Sequence, residues 1–210
     1  MAWGACTAAL LLLLLLAAVA AAAAGASCVI SAAVMCMEAQ YRRLNENYHG
    51  ANSCVLKVTA EAVQSLKNKC KKGRAWKPNV GAPTVAGVLE VIRSWEQGLS
   101  TVLDNTSLRL KHYVTFKAGE LSPSEVTSLL HKMGPVVGVL YTDGEYFRSA
   151  VFRGDKAFPA NHAVTCTGYR YVDGELFIII MDNVERGGPF RFVLYEAFAE
   201  FHVLTVNASS

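Results

Sequence analysis

The dipeptide Asp173-Gly174 constrains this chain more than any other pair of residues in it. It stands between two alternating runs rich in β-branched and aromatic side chains, "HAVTCTGYRYV" and "ELFIIIM". Asp-Gly tolerates the left-handed backbone that a two-residue hairpin turn needs at both central positions, so the pattern predicts a tight antiparallel hairpin. With the turn fixed, residues equidistant from it pair, and Val164 faces Asn183. His162 lies two residues before Val164, on the same face and diagonal to Asn183, at about 7–8 Å between backbones. An imidazole and a side-chain amide thus meet at the open end of the hairpin. That is the base-plus-orienter arrangement of a nucleophilic hydrolase; a polar pair trimming a buried hairpin is the structural alternative. No metal is expected, because His162 and Cys166 share a strand face but lie about 13 Å apart at the usual rise. No cofactor is expected either.

Around the hairpin, helical patterns fill the first half of the chain and strand patterns the second. "SCVISAAVMCMEAQYRRL" reads as a helix with Ser27 as its N-cap and Cys28 in its first turn. Thr59 to Lys69 is a short helix that Thr59 can cap. Pro83 opens a third, with Val85, Val88, Leu89, Ile92 and Trp95 on one face and Gly98 as its terminator. Leu108 to Phe116 alternates like a half-buried strand. Ser122-Pro123-Ser124-Glu125 is a capping box with proline in the first turn, and Gly134-Pro135 stops the helix behind it. Strands follow: "VVGVLY", the hairpin pair, "FRFVLY" and "FHVLTV". Segregated helices and strands define an α+β class.

The N-terminal segment sets the expected compartment. No charged side chain occurs from Met1 to Met37, and the run includes "LLLLLLLAAVAAAAA". Residues 1–26 read as a secretory signal peptide with small-residue cleavage sites, or, if uncleaved, as a membrane anchor. Either route leads to the secretory pathway, with an extracellular, vacuolar or lysosomal destination. Beyond that segment stand Cys28, Cys36, Cys54, Cys70 and Cys166, an odd set that leaves at least one thiol free or paired between chains. Asn105-Thr106-Ser107 and Asn207-Ala208-Ser209 are glycosylation sequons. The net charge of +3 is concentrated in "LKNKCKKGRAWK", which reads as a solvated loop and not a nucleic-acid surface.

The ordered segments resemble the papain-like cysteine peptidases. "NHAVTCTGY", a hairpin and then Asn183 are similar to the family's "HAV…GYG" strand and the asparagine of "NSWG". "HKMGPVVGVLYTDGEYFRSAVFRG", "GAPTVAGVLEVIRSWEQGLST" and "SCVISAAVMCMEAQY" resemble, in the right order, its "PVSVAI" segment, its "GG.P..A" helix and its "SCWAFSAV" cysteine helix. The resemblance covers residues 27–206. It implies a two-lobed papain-like fold, with a helical lobe over 27–107 and a β-rich lobe over 108–206. It also implies a catalytic set of Cys28 as nucleophile, His162 as general base and Asn183 as orienter. The substrate would be a peptide or protein, handled by a monomer; a protease or inhibitor bound in the old cleft is the non-catalytic alternative. Membrane association is expected only if the N-terminal segment stays attached. Cys70 resembles the family's half-cystine after its second helix, with Cys54 as a possible partner, whereas Cys36 and Cys166 are expected to be buried, inert thiols.

Several family features differ here. The residues before Cys28 are "AAAAGAS", without the oxyanion glutamine, whose loss costs about 10²–10³ in rate. The tryptophan after the cysteine is replaced by Val29 or Ile30. "NSWG" becomes Asn183-Val184-Glu185-Arg186, and no counterpart of the propeptide or the N-terminal strand is expected. These changes imply impaired or lost activity.

Overall fold

The computed structural model describes residues 28–43, 57–73, 75, 83–102, 106–143, 146, 148, 151–154, 156–157, 159–182 and 190–209. Asn183, Cys54, Ser27, Asn105 and the 1–26 segment lie outside the described residues, as does the site of the expected missing N-terminal strand. Among the described residues no helix is long and apolar enough to cross a membrane.

Residues 28–43 are helical (α1). Helix α2 spans Ala60–Lys72, α3 Val85–Arg93 and α4 Pro123–Met133. The caps follow from side-chain chemistry. Thr59 accepts the Ala62 N–H at 3.1 Å, and Thr84 caps α3 by accepting the Gly87 N–H at 3.1 Å. At α4 the Ser122 N–H donates to Glu125 Oε2 at 2.7 Å while Ser122 Oγ accepts the Glu125 N–H at 3.3 Å. Ser122→Ala removes one half of this reciprocal pair and is expected to lower stability by about 1 kcal/mol in a urea titration. The α3 expectation needs correction at both ends. Pro83 precedes the cap instead of opening the helix, and the helix stops at Arg93, so Trp95 falls beyond it. Gly98, at φ +69°, closes the following turn by donating its N–H to the Trp95 carbonyl at 2.9 Å.

The strands are β1 Leu99–Ser100, β2 Ser107–Lys117, β3 Val136–Tyr141, β4 Val151–Phe152, β5 Ala160–Val172, β6 Glu175–Met181, β7 Phe190–Leu194 and β8 Phe198–Ser209. They form one eight-stranded sheet in the order β1-β2-β8-β3-β5-β6-β7-β4. Both edge strands are two residues long, which leaves little template for pairing with another chain.

Two hydrophobic cores share this sheet. Alternation sends neighbouring residues to opposite sides. Val137, Ala163, Leu204 and Val206 join Leu66, Leu89 and Ile92 in the helical core. Val136, Val164 and Val203 join Val126, Leu130 and Ile178 in the second. Strands β3, β5 and β8 therefore knit the helical part to the β-rich part. Helix α1 is fastened across the same junction. Gln40 Nε2 donates to the Met133 and Pro135 carbonyls at 2.5 and 2.6 Å. Arg43 Nη1 donates to the Gly134 carbonyl at 2.5 Å, and Cys36 Sγ to that of Pro135 at 3.3 Å. The Met133 and Gly134 carbonyls are among those that the α4 terminus cannot pair internally.

Candidate active site

The hairpin forms as its turn dictates, but its register slips. Asp173 and Gly174 take φ values of +51° and +83°, and Val172 pairs with Glu175. The predicted register holds as far as Gly168 opposite Ile179. Thr167 is then extra, and Cys166 pairs with Ile180 and Thr165 with Met181. A β-bulge of this kind inserts one residue in one strand and leaves the other strand one position behind. The expectation that Val164 faces Asn183 is therefore corrected: continuing the observed register puts Asp182 opposite Val164. A one-residue slip exchanges the faces of a strand's side chains, so Asp182 takes the buried position expected for its neighbour.

Three elements converge on His162. Its Nε2 lies 3.0 Å from Asp182 Oδ2. Its ring is also hydrogen-bonded to the Cys28 side chain at the start of α1. That meeting is fixed by a contact nearby in both chain segments: Thr165 Oγ1, three residues after His162, donates to the Ala32 carbonyl, one helical turn after Cys28, at 3.2 Å. Cys28 is 3% exposed, His162 6% and Asp182 7%.

Behind Asp182 lies a second layer. The Tyr146 hydroxyl donates to Asp182 Oδ2, and Asp143 Oδ1 holds the Tyr146 N–H at 3.2 Å. Arg191, 1% exposed, reaches from β7 with Nη1 3.8 Å from Asp182 Oδ2. It donates through Nη2 to the Tyr146 carbonyl and stacks over the Tyr146 ring at 4.4 Å. Tyr146 and His162 rings are 4.9 Å apart.

These contacts govern the titration of the ring. Burial pushes the His162 pKa down, but the hydrogen bonds that the ring makes with Asp182 and Cys28, together with its electrostatic attraction to them, outweigh it and raise it from 6.5 to about 9. Burial, reinforced by the Asp182 carboxylate, pushes the Tyr146 hydroxyl up, so it stays a proton donor at all ordinary pH values. The other described cysteines differ in kind. Burial raises the thiols of Cys36, Cys70 and Cys166, the second to about 11. All four described cysteines are buried and no disulfide joins them to one another. Residues able to hold a metal ion in groups of three or more are absent among the described residues.

Two of the three sequence-predicted site residues are thus brought together, Cys28 and His162, and Asn183 lies outside the described residues. Sequence reasoning missed Asp182, Tyr146 and Arg191. The one signal for Asp182 was Gly168 inside a strand pattern, a common mark of an adjacent bulge. Nothing local marked Tyr146, and Arg191 in "FRF" reads as a solvent-facing charge.

The fold is papain-like: helices in the N-terminal part, an antiparallel-rich sheet in the C-terminal part, and a cysteine at a helix start facing a histidine at a strand start. Solved structures of papain-like cysteine proteases superpose on it. One, from work on the limited antibody cross reactivity between the mite allergens Blo t 1 and Der p 1, matches with TM-score 0.58 and 18% identity over 85% of this chain and 64% of that one. The clostridial cysteine protease Cwp84 after propeptide cleavage matches with TM-score 0.65 and 12% identity over 88% of this chain and 54% of that one. The chain spans less than two thirds of the length of either. No protein-family model and no curated protein matches the sequence.

Proposed function

We propose that this chain is a papain-like cysteine-type peptidase homologue whose residual chemistry runs through Cys28 and His162, at a rate reduced by its missing oxyanion glutamine. The observation that carries this reading is the hydrogen bond between the Cys28 side chain and the His162 ring. Since Nε2 is engaged by Asp182, Nδ1 is left to exchange a proton with the thiol. The thiolate sulfur attacks the scissile carbonyl carbon, and the carbonyl π pair moves to oxygen. When that pair returns, the C–N bond breaks and the leaving amine takes the imidazolium proton. His162 then withdraws a proton from the water that releases the acid from the thioester and restores the thiol.

Asn183, next in sequence to Asp182, is the position to which the family resemblance alone assigns the orienter, and the Nε2 contact of His162 is made by Asp182. The substrate is a peptide or protein, the working unit a monomer, and residues 1–26 a secretory signal with glycosylation at the Asn105 and Asn207 sequons downstream. The N-terminal sequence of secreted material checks the last point: a retained Met1 contradicts cleavage.

A second reading is supported by burial. Cys28 and His162 are 3% and 6% exposed, and a nucleophile so covered suits a protein that binds peptides, proteases or inhibitors without cleaving them. Labelling with a thiol-reactive epoxide peptidase probe, read by intact mass, separates the two. The peptidase reading expects stoichiometric modification of Cys28 that His162→Ala slows by about 10²-fold or more. A folded, processed chain that takes up no label overturns the peptidase reading.

A further inference from the structure

We propose that Asp182, pinned by Tyr146 and backed by Arg191, is the positioning residue for His162, so that a buried carboxylate sets the orientation and charge of the ring where the papain-like resemblance leads one to expect an amide. The inference rests on the peptidase reading for its consequence in turnover, though not for its geometry.

The bulge at Thr167 brings Asp182 to the His162 side of the hairpin, with Oδ2 3.0 Å from Nε2. A carboxylate can only accept here, which fixes the proton on Nε2 and leaves Nδ1 for Cys28. A lone buried carboxylate is costly, and the second layer meets that cost. Tyr146 donates to the same oxygen, and the Arg191 guanidinium stands 3.8 Å from it. From β7 inward the set runs from the Arg191 guanidinium to the Asp182 carboxylate, then to the His162 ring and the Cys28 side chain that faces it. Moving the proton between Cys28 and His162 leaves the net charge of this buried set unchanged. An amide at the Asp182 position would leave the guanidinium without its anion and the imidazolium without its counterion.

The groups facing His162 are Cys28 from α1, Asp182 from the end of β6 and Tyr146 from the segment between β3 and β4, with Arg191 acting from β7 through Asp182. The raised ring pKa agrees with this set.

The test is a histidine NMR titration of the full chain, paired with the rate of Cys28 alkylation by iodoacetamide and with peptide hydrolysis. Asp182→Asn is expected to lower the His162 midpoint by about one unit or more and to slow alkylation at neutral pH by about tenfold. Asn183→Ala is expected to leave the midpoint in place. The reverse result, a midpoint that moves with Asn183 and stays with Asp182→Asn, overturns the proposal. Where Asp182→Asn does not fold, Cys28→Ala decides. With the thiol gone, the remaining hydrogen-bond partner of the ring is compared directly: in the Cys28→Ala background a further Asn183→Ala change is expected to leave the His162 midpoint in place, and a midpoint that it lowers by about a unit or more overturns the proposal. If the wild type cleaves no peptide yet the titration behaves as expected, the peptidase reading fails and the positioning role stands. Cleavage with a midpoint that Asp182→Asn leaves unmoved keeps the peptidase reading and overturns the positioning role.

Discussion

Arg191→Met is expected to destabilise the protein by about 3–5 kcal/mol, the cost of breaking a buried ion pair from one side. Arg191 is 1% exposed and serves three acceptors of different kinds. Nη1 faces the Asp182 carboxylate at 3.8 Å, Nη2 donates to the Tyr146 carbonyl, and the guanidinium plane covers the Tyr146 ring. Methionine keeps much of the volume and supplies none of this. Asp182 would then be a buried carboxylate held by Tyr146 and His162 without the guanidinium behind it. Combining Arg191→Met with Asp182→Asn removes both charges and is expected to recover part of the loss, because neither is then stranded. Urea titrations of the wild type, both single variants and the double variant read this out. A loss below about 1 kcal/mol for Arg191→Met would show that the guanidinium is not part of the buried charge set.

Stability is expected to peak near pH 6.5 and to fall on both sides, for two buried histidines with opposite signs. For His162 the folded pKa, about 9, lies above the ordinary 6.5. Its contribution is therefore complete below 6.5 and is lost as pH rises through about 9. The difference corresponds to about 3 kcal/mol at 1.36 kcal/mol per unit. His202 works the other way. It is fully buried in β8, its Nδ1 lies 2.9 Å from Thr115 Oγ1, and burial lowers its pKa although Glu200, 3.2 Å from Nε2, pulls the other way. A histidine held neutral contributes stability above its ordinary value and loses it as pH falls through the folded one. Urea midpoints measured from pH 5 to 10 for the wild type, His162→Gln and His202→Gln separate the limbs. The alkaline fall should vanish in the first variant and the acid fall shrink in the second; an alkaline limb unchanged by His162→Gln contradicts the assignment.

Much of the fold was written locally. Thr59, the Ser122 to Glu125 box and Gly134 mark helix ends by the chemistry of their own side chains and backbone, and they act as read. Asp173-Gly174 forms its hairpin because the turn residues meet the φ requirement without help from elsewhere. What failed was whatever depended on a distant face. In "FRF" alternation suggests Phe190 and Phe192 inside and Arg191 outside, yet Phe190 is 57% exposed and Arg191 is buried. The anion that draws Arg191 inward belongs to another strand, and no window around β7 contains it.

The class of architecture, the hairpin turn and the interest of His162 were legible in the chain alone, because turn preference, capping and alternation act over a few residues, whereas Cys28 was marked only by the resemblance of its segment to the papain-like cysteine helix. The partners of those residues came from long-range packing. Whether Cys28 meets His162 depends on α1 docking through Thr165 and Gln40, contacts that span 133 and 93 residues. Whether Asp182 or Asn183 faces the ring depends on a single extra residue at Thr167. A bulge changes the register by one, and in a strand one residue is the difference between the two faces.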